Sequence, residues 1–507
     1  MGYAGYQHLI DVHALPCLPP AVPARVEAVQ RVLRGEDKLL IPPSVAPAAD
    51  APPVDHVLFA LRHEGVDMAV IDALAASGVL TAADVGAAAK AAPNGLYARR
   101  LAYLWELLTG HEIEGVRAGG AYQPLFDPDL YYTGDQGKAT RSSKWRIEFN
   151  GLGTPKLCPV VRRTHALADL LKRDLFAEVQ VFAEQARSEG LLDRILSWAY
   201  LDETRSSFQI EHEEPAADRA EAFAQVLRNA HDGRPVDEQY LAELQNIVIT
   251  RPMFREGGYR HQQNWLARGG RGALAVRYVP PPPEEVRPLM TELAQVANDP
   301  RAQHPLLHAA LCSFAFVYIH PFMDGNGRLS RFLFHQALCA TRSLPDGLIL
   351  PVSAAMHRNE RTYLAALEAF SRPARQLWDV RWIGEADFGM TMRCRPSVYR
   401  YWDATEQATF SARMALEAMD RHLVGEARYL GSFDRAYAAL DRELELPGPL
   451  LHRLIVMCID QHGRLSGRRR SQFADIVPAQ DFDAIERVVT LEFGWEEPGA
   501  PQPAQQR

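Results

Sequence analysis

The pattern of hydrophobic and polar positions changes most sharply near residue 320. Residues 305–319, PLLHAALCSFAFVYI, are almost all apolar and predict a helix at the centre of a bundle. A second helix is predicted after Gly327, because Leu329, Phe332 and Leu333 fall on one helical face. The loop between the two helices therefore faces a helix N-terminus, the positive end of the helix dipole.

Elsewhere the periodicity is mostly helical, with short strands predicted at three places. Alternating residues at 145–149 predict one strand. Two polar and aromatic arms, at 259–266 and 274–278, surround the glycine-rich turn at 269–272 and predict a β-hairpin with a long loop. Alternation at 488–493 follows helical segments, and this order predicts a winged-helix-like unit at the C-terminal end.

Composition shifts divide the chain into five predicted segments. The Pro/Ala-rich stretch at 41–54 lacks helical apolar periodicity and predicts a semi-extended linker. In chain order the segments are an N-terminal element with this linker (1–54), a mostly helical domain (55–164), a helical core with the hairpin (165–395), a helical and winged-helix-like domain (396–495) and a disordered tail (496–507).

The bulk composition is typical of a protein folded in water. The 507 residues include 47% hydrophobic and 23% charged residues, with a net charge of −8. No apolar run approaches the length of a membrane span and the N-terminus lacks a secretory pattern, so we expect a cytoplasmic protein without a membrane partner. The absence of Cys-x-x-Cys spacing disfavours a zinc ribbon, a redox pair or a disulfide framework. We expect reduced, mostly buried thiols at Cys17, Cys158, Cys312, Cys339, Cys394 and Cys458.

The twelve residues HPFMDGNGRLSR, at 320–331, combine groups suited to phosphate chemistry. Gly325 and Gly327 let successive backbone N–H groups point into one concavity, an anion nest at a helix N-terminus. Arg328 and Arg331 add guanidinium groups that can bind the same phosphates. The pattern is not a Walker A loop, which needs Gly-x-x-x-x-Gly-Lys-Ser/Thr.

Two further side chains of this stretch complete a displacement site at phosphorus. Asp324 is a hard oxygen ligand of the kind that Mg²⁺ prefers when the ion also binds substrate phosphates. His320, with an ordinary pKa of about 6.5, can accept a proton from an incoming hydroxyl. A single histidine or a DGNG turn is usually structural, but their joint occurrence before an apolar helical face favours nucleotide chemistry.

This stretch resembles the Fic family signature, HPFx[D/E]GNGRxxR, at every fixed position from His320 to Arg331. Supporting resemblance covers roughly residues 165–385. With the patterns above, it implies a mainly α protein with a Fic-type helical bundle and a β-hairpin flap, flanked by the N-terminal helical and C-terminal winged-helix-like domains. The resemblance also implies transfer of AMP from ATP to a Ser, Thr or Tyr hydroxyl of a protein target, with Mg²⁺ as cofactor.

The same resemblance assigns roles within the stretch and beyond it. His320 becomes the base and Asp324 the Mg²⁺ ligand. The implied phosphate-binding set is Gly325, Asn326, Gly327, Arg328 and Arg331. Asn359 and Tyr363 resemble residues that line the adenine side. Gly327 favours AMP transfer, because the kinase-like Doc branch of the family has a larger basic residue at this position.

The hairpin resembles the family's flap, which holds a target segment by strand-like main-chain pairing. Its candidate docking residues are Arg260, Gln263 and Tyr278.

A regulatory motif is also implied by resemblance. Residues 207–211, SFQIE, resemble the family's inhibitory [S/T]xxxE[G/N] helix, with Ser207 and Glu211 at its fixed positions. In this interpretation Glu211 pairs with Arg331 and occupies the cation meant for the γ-phosphate. The sequence departs from the motif at His212, where Gly or Asn is usual.

Several alternatives stay open from the sequence. The chain could be a nucleotide-binding regulatory module with weak transfer and a C-terminal unit that binds DNA or protein, or a Fic enzyme that transfers UMP or phosphocholine. Self-modification and a homodimer are also open. His304 and His308 have the spacing of a metal pair, although packing or capping is favoured. The candidate nucleic-acid contacts are Arg464, Arg468, Arg469 and Arg470.

Overall fold

The protein is mainly α-helical, as predicted. The computed structural model describes residues 2–249, 252–267, 269, 272–302, 304–384 and 387–495. Its α-helices are α1 (Gly5–His13), α2 (Pro53–His63), α3 (Met68–Ala76), α4 (Ala82–Ala91), α5 (Leu96–Thr109), α6 (His165–Leu171), α7 (Leu175–Ser188), α8 (Leu192–Ile210), α9 (Ala217–Arg228), α10 (Glu238–Val248), α11 (Pro283–Asn298), α12 (Pro305–Ile319), α13 (Asn326–Ala340), α14 (Val352–Arg358), α15 (Glu360–Arg375), α16 (Thr405–Glu417), α17 (Val424–Glu443), α18 (Gly448–Ile459), α19 (Gly467–Phe473) and α20 (Ala479–Glu492). Its strands are β1 (Gly2–Tyr3), β2 (Ala24–Val26), β3 (Leu33–Arg34), β4 (Leu39–Ile41), β5 (Gln123–Pro124), β6 (Tyr131–Tyr132), β7 (Thr140–Ser142), β8 (Ile147–Phe149), β9 (Val161–Arg162), β10 (Leu266–Ala267), β11 (Val276–Tyr278), β12 (Trp378–Gly384) and β13 (Asp387–Met392).

The chain folds into two compact units. One comprises Met1–Phe176 with Tyr200–Leu416, and the other comprises Ala177–Ala199 with Glu417–Arg507. The predicted boundaries at 54, 164 and 395 therefore do not coincide with the compact units, because the N-terminal region and the central helices share one unit.

The first 41 residues are built into the first unit and are more than an element with a linker. Strands β1 to β4 form one sheet in the order β1-β2-β4-β3, in which β2 and β4 run parallel. The carboxylate of Glu64, after α2, accepts hydrogen bonds from the backbone N–H groups of Tyr6 at 2.9 Å and Ala24 at 3.1 Å. Burial raises the pKa of Glu64 to about 8, although these hydrogen bonds oppose the shift. The predicted strand at 145–149 is confirmed as β8, which pairs with β5 and β7.

Helices α12 and α13 form the centre of the first unit and pack against each other. Almost every residue of α12 is buried, which agrees with its apolar sequence. Leu329, Phe332 and Leu333 of α13 are also buried, as predicted. Helices α9, α10 and α11 pack on α13, so this helix is enclosed and its N-terminus is held in a fixed place.

Two hairpins lie side by side. β10 and β11 pair antiparallel as predicted, with Leu266 opposite Tyr278, although the ladder is short and turn residues 268, 270 and 271 lie outside the described residues. The second hairpin, β12–β13, was not predicted. Its Trp378 packs in one hydrophobic cluster with Val276 and Val279, and therefore joins the two hairpins.

The described part of the C-terminal region consists of helices joined by short loops. Residues 488–493 lie in α20 and its C-terminal end, and no strand occurs between residues 424 and 495. The predicted strand pair, and with it the wing of a winged helix, is wrong. Ile485 and Val489 explain the difference, because they are spaced by four residues and both are buried in the core of this region. The predicted disordered tail, 496–507, lies outside the described residues.

Within the described part of the chain, none of the helices combines the length and the apolar character needed to cross a membrane. The cysteines are free thiols, and four of them are buried. Burial raises the pKa of Cys158 and of Cys312 to about 12, so these thiols stay protonated at neutral pH.

Candidate active site

The loop at 320–327 is held in shape by its own side chains. His320 closes α12 with φ of 52°, in the left-handed region, and Gly325 precedes α13 with φ of 86°. Glycine adopts this conformation without strain, whereas a histidine there carries a cost that the fold must offset. The amide of Asn326 accepts from the N–H of Phe322 at 3.0 Å and donates to its carbonyl at 2.8 Å. Asn326 therefore shapes the loop with its side chain.

His320 is a buried, neutral imidazole with a defined tautomer. Its Nδ1 lies 3.1 Å from the carbonyl oxygen of Val317, so Nδ1 carries the hydrogen and donates it. The lone pair that can accept a proton is then on Nε2. Burial lowers the pKa of His320 to about 4, and the hydrogen bond to Val317 only partly opposes this shift. The group is thus unprotonated over the whole neutral range.

The N-terminus of α13 supplies backbone donors beside this histidine. The first intrahelical hydrogen bond of α13 runs from the N–H of Leu329 to the carbonyl of Gly325. The preceding N–H groups of the first turn have no partner within the helix, which is the general property that makes helix N-termini bind anions. The structure therefore brings the predicted nest, Gly325 to Arg328, to one helix end.

Arg331 is buried and bound by the segment at the end of α8. Its side chain is 1% exposed, and its Nη2 lies 2.9 Å from Oε1 of Glu211. Its Nε donates to the hydroxyl of Ser207 at 2.9 Å and its Nη2 donates to the carbonyl of Ser207 at 2.7 Å. Burial lowers the pKa of Arg331, but the attraction of Glu211 and the neighbouring Tyr363 hydroxyl outweigh it and raise the pKa above its ordinary value. The structure thus brings together the three residues of the predicted inhibitory contact.

Arg328 has a carboxylate partner that the sequence reasoning missed. Its side chain is 2% exposed and its Nη1 lies 2.7 Å from Oε2 of Glu213. The same Nη1 donates to the carbonyl of Val248 at 2.9 Å, and the guanidinium lies over the ring of Phe208. The only sequence signal was the acidic run that follows Glu211, which reads equally well as a solvated surface.

His212, at the position where Gly or Asn is usual in the motif, occupies the turn that ends α8 in the left-handed conformation. Its φ is 56°. The N–H of Glu213 donates to the carbonyl of Phe208 at 3.1 Å and the N–H of His212 donates to that of Gln209 at 2.9 Å. This pair of hydrogen bonds is a Schellman motif, whose C′ residue is left-handed and is usually Gly or Asn. His212 therefore closes the helix in a regular Schellman turn although it is neither Gly nor Asn.

Asp324 fits a magnesium ligand that acts together with a nucleotide. Its side chain is 38% exposed, and its Oδ1 accepts from the N–H of Gly325 at 2.6 Å. Mg²⁺ is commonly bound through one or two carboxylates and substrate phosphates. In the described part of the chain no group of three or more His, Cys, Asp or Glu side chains could hold a metal alone. His304 caps α12, with its Nδ1 accepting from Leu306, and His308 is buried beside Cys312.

On the predicted adenine side, Tyr363 is buried and its ring stacks on Phe410 with centroids 5.6 Å apart. Asn359 lies at the start of α15, and its side-chain amide donates to the carbonyl of Ala355 at 2.9 Å. A side-chain hydrogen bond also places Tyr363 beside Arg331, whereas Asn359 connects α14 to α15.

Two of the three predicted docking residues of the flap are structural. Arg260 is buried and its guanidinium donates to the carbonyls of His320 at 2.8 Å and Pro281 at 2.7 Å. Tyr278 is buried and its hydroxyl donates to the carbonyl of Tyr318 at 2.6 Å. Neither side chain is presented to a target, so the prediction is corrected for both. Polar groups in a buried loop need partners, and backbone carbonyls satisfy them here.

Gln263, the third predicted residue, is partly exposed and donates to the carbonyls of Asn264 and Pro280, both at 3.0 Å. Arg375 at the end of α15 also holds the flap. Its guanidinium donates to the carbonyl of Val276 at 3.1 Å and to that of Trp378 at 3.0 Å. Arg375 therefore connects β11 to β12. No pattern in the sequence predicts this contact, because Val276 and Arg375 are far apart in the chain.

The C-terminal arginines are partly engaged within their own unit. Arg470 pairs with Asp483 and with Glu486, at 2.7 Å in each case. Its charge is therefore balanced locally, and contact of this region with nucleic acid stays a prediction.

Comparisons with known proteins agree with the site. Residues 235–338 match the Fic/DOC family. A protein adenylyltransferase Fic of Nematostella vectensis is 43% identical over 63 residues, 12% of this chain and 15% of the relative. One of Drosophila ananassae is 41% identical over 100 residues, 19% of this chain and 18% of the relative. The matches thus span less than a fifth of these relatives.

Two solved structures show a remote likeness. A Fic family protein from Desulfovibrio desulfuricans G20 is 18% identical, with a TM-score of 0.39, over 66% of this chain and 89% of that chain. A Fic domain containing signaling protein from Bacteroides thetaiotaomicron is 19% identical, with a TM-score of 0.36, over 51% of this chain and 97% of that chain. The family match at 235–338 includes the loop, the nest and both arginines, and we conclude that this chain carries a Fic/DOC family domain.

Proposed function

We propose that the protein transfers AMP from ATP to a hydroxyl side chain of a protein target. The observation that carries the proposal is the neutral His320, with its free Nε2, on the same loop as the anion nest and two buried arginines. An in-line displacement at phosphorus needs a base, a site that binds the phosphates, and cations. Here the base, the anion nest and the two arginines all lie on one loop and the start of the helix that follows it.

The proposed transfer is a single displacement at the α-phosphorus of ATP. The oxygen of a Ser, Thr or Tyr hydroxyl forms a bond to the α-phosphorus of ATP. The bond from that phosphorus to the bridging oxygen breaks, and pyrophosphate leaves with the electron pair. Nε2 of His320 takes the hydroxyl proton, because its lone pair is free while Nδ1 donates to Val317. When bound by Asp324, Mg²⁺ supplies positive charge that offsets the negative charge of the phosphates.

The remaining residues orient the nucleotide. The first-turn N–H groups of α13 and the guanidinium groups of Arg328 and Arg331 bind the phosphate chain, so that the α-phosphorus is presented to the incoming hydroxyl. The β11 edge of the flap binds an extended segment of the target by main-chain pairing. In the resting state Glu211 occupies Arg331, so the site is autoinhibited.

Substitution of the base tests the proposed reaction. His320→Ala removes the proton acceptor while leaving the phosphate cradle in place. We expect incorporation of label from α-³²P-ATP into protein to be lost and the affinity for ATP to change little. Undiminished incorporation by His320→Ala would exclude His320 as the base.

Mass spectrometry identifies the group that is transferred. The full-length protein with Glu211→Gly, incubated with ATP, is expected to gain AMP on a Ser, Thr or Tyr side chain. UTP and CDP-choline serve as competing donors in parallel reactions. A mass increment of UMP or phosphocholine, with none from ATP, would overturn the proposed donor.

A further inference from the structure

The turn that ends α8 carries two carboxylates, and each of them forms an ion pair with one arginine of the stretch at 320–331. Glu211 pairs with Arg331 at 2.9 Å and Glu213 pairs with Arg328 at 2.7 Å. The Schellman hydrogen bonds around His212 fix the backbone between the two carboxylates. The side chains at 211 and 213 are therefore parts of one rigid three-residue turn.

Both contacts remove positive charge from the place where phosphates are proposed to bind. The two guanidinium groups are 1% and 2% exposed, whereas the two carboxylates are 35% and 31% exposed. Charges next to a buried guanidinium are screened less by solvent than charges on an open surface. A bound triphosphate must compete with both carboxylates for these two cations.

The helix that leads into the turn is anchored separately. The carboxylate of Glu203 on α8 is buried, lies 2.7 Å from Nε2 of His335 and accepts from the N–H of Ser353 at 2.7 Å. These contacts hold α8 against α13 and α14 two turns before Glu211. Withdrawal of the two carboxylates therefore needs movement only of the helix end beyond this anchor, which carries Ser207 and the Schellman turn.

We propose that Glu213 is a second inhibitory carboxylate and that the turn at 211–213 opens as a single gate for the triphosphate chain of the nucleotide. This inference rests on the proposed function and names the regulation of the same site. Closure neutralises Arg328 and Arg331 together. Opening withdraws both carboxylates, because a displacement that moves Glu211 away also moves Glu213 through the shared turn. Arg328 then keeps its hydrogen bond to the carbonyl of Val248 and its 3.7 Å contact with Oδ1 of Asp324.

A calorimetric titration of the full-length protein with Mg²⁺ and a non-hydrolysable ATP analogue tests the proposal. The variants are Glu211→Gln, Glu213→Gln and the double substitution, which remove charge and keep side-chain size. Glu214→Gln is the matched control, because it removes an acidic charge from the adjacent exposed residue. AMP is the control ligand, since it lacks the β- and γ-phosphates.

Glu213→Gln is expected to raise the affinity for the analogue about 3- to 10-fold, the effect of one charge-assisted contact, without changing the affinity for AMP. The double variant should gain less than the product of the two single gains, because either substitution already loosens the shared turn. Glu214→Gln should match the wild type.

Two results would overturn the inference. Unchanged or weaker binding of the analogue by Glu213→Gln, with an unchanged melting temperature, would make Glu213 merely structural. A double variant whose gain equals the product of the single gains would exclude a single gate. The binding assay is independent of transfer. Tighter binding without incorporation of AMP in any variant would therefore refute the proposed function and leave the gate intact.

Discussion

The left-handed residue His212 allows the stability of the proposed inhibitory turn to be changed without altering Glu211, Glu213 or either arginine. A residue other than Gly or Asn in this conformation costs roughly 1 to 2 kcal/mol, and β-branched residues are the least tolerant. His212→Asn should stabilise the closed turn by about 0.5–1 kcal/mol, because the short polar side chain of Asn can hydrogen-bond to the nearby backbone in the left-handed conformation. His212→Val should destabilise it by about 1 kcal/mol.

Under the proposed gate these free energies translate into rates of transfer, because only the open turn leaves the arginines to ATP. About 1.4 kcal/mol corresponds to a tenfold change in an equilibrium. Auto-modification from labelled ATP should therefore slow about 2- to 5-fold in His212→Asn and accelerate about 5-fold in His212→Val. The measurement is the initial rate of incorporation at subsaturating ATP, with the melting temperature of each variant as a control for global unfolding.

The same series in a background without the inhibitory carboxylates is the decisive control. With Glu211→Gln and Glu213→Gln present, the turn no longer competes with ATP, and the residue at 212 should have no effect on the rate. The reasoning is refuted if the order Val, His, Asn is absent with both carboxylates in place. It is also refuted if the same order persists without them.

Three further predictions follow from other contacts. Burial lowers the pKa of His320 to about 4, so the imidazole stays neutral as the pH falls through 6.5. The value of kcat/KM for transfer should therefore stay level from about pH 8 to about pH 5.5. A decline in kcat/KM with a midpoint near pH 6.5 would contradict this. Arg375→Ala removes the donors that hold β11 to β12, so hydrogen exchange of the flap should quicken and transfer to a protein acceptor should fall, while ATP affinity stays unchanged in calorimetry. Glu203→Leu removes a buried acceptor from His335 and Ser353 and should lower the free energy of unfolding by about 3–5 kcal/mol in urea titrations. The same substitution at the exposed Glu214 is the neutral control. Equal urea midpoints for the two variants would contradict the assigned role of Glu203.

The central helices and the loop motif could be predicted because their signals are local. An apolar run ending at His320, followed by glycines and an amphipathic helix, allows few conformations. The contact of Glu211 with Arg331 could also be anticipated, although only from family resemblance and not from spacing. By contrast, Glu213 reaches Arg328 only after the chain has folded back over more than 100 residues, and an acidic run on its own favours solvent.

The predictions that the structure corrects also failed because contacts outside the local pattern decided the outcome. Residues 488–493 alternate well enough for a strand, but Ile485 and Val489 continue the buried face of a helix, and this longer pattern prevails. Arg260 and Tyr278 were predicted to dock a target because the hairpin resembles the family's flap. Both serve instead as donors to carbonyls of the loop and of α12, and this need of the backbone is not visible in the sequence.

The carboxylate of Glu64 determines where the protein can be shortened. A fragment that begins after the Pro/Ala-rich stretch at 41–54 would lack Tyr6 and Ala24, whose N–H groups donate hydrogen bonds to this carboxylate. It would also lack the sheet of β1 to β4. The sequence alone would favour such a truncation, since the stretch was predicted to be a semi-extended linker. Expression of the Fic/DOC domain should therefore retain residues 2–41, which belong to the same compact unit.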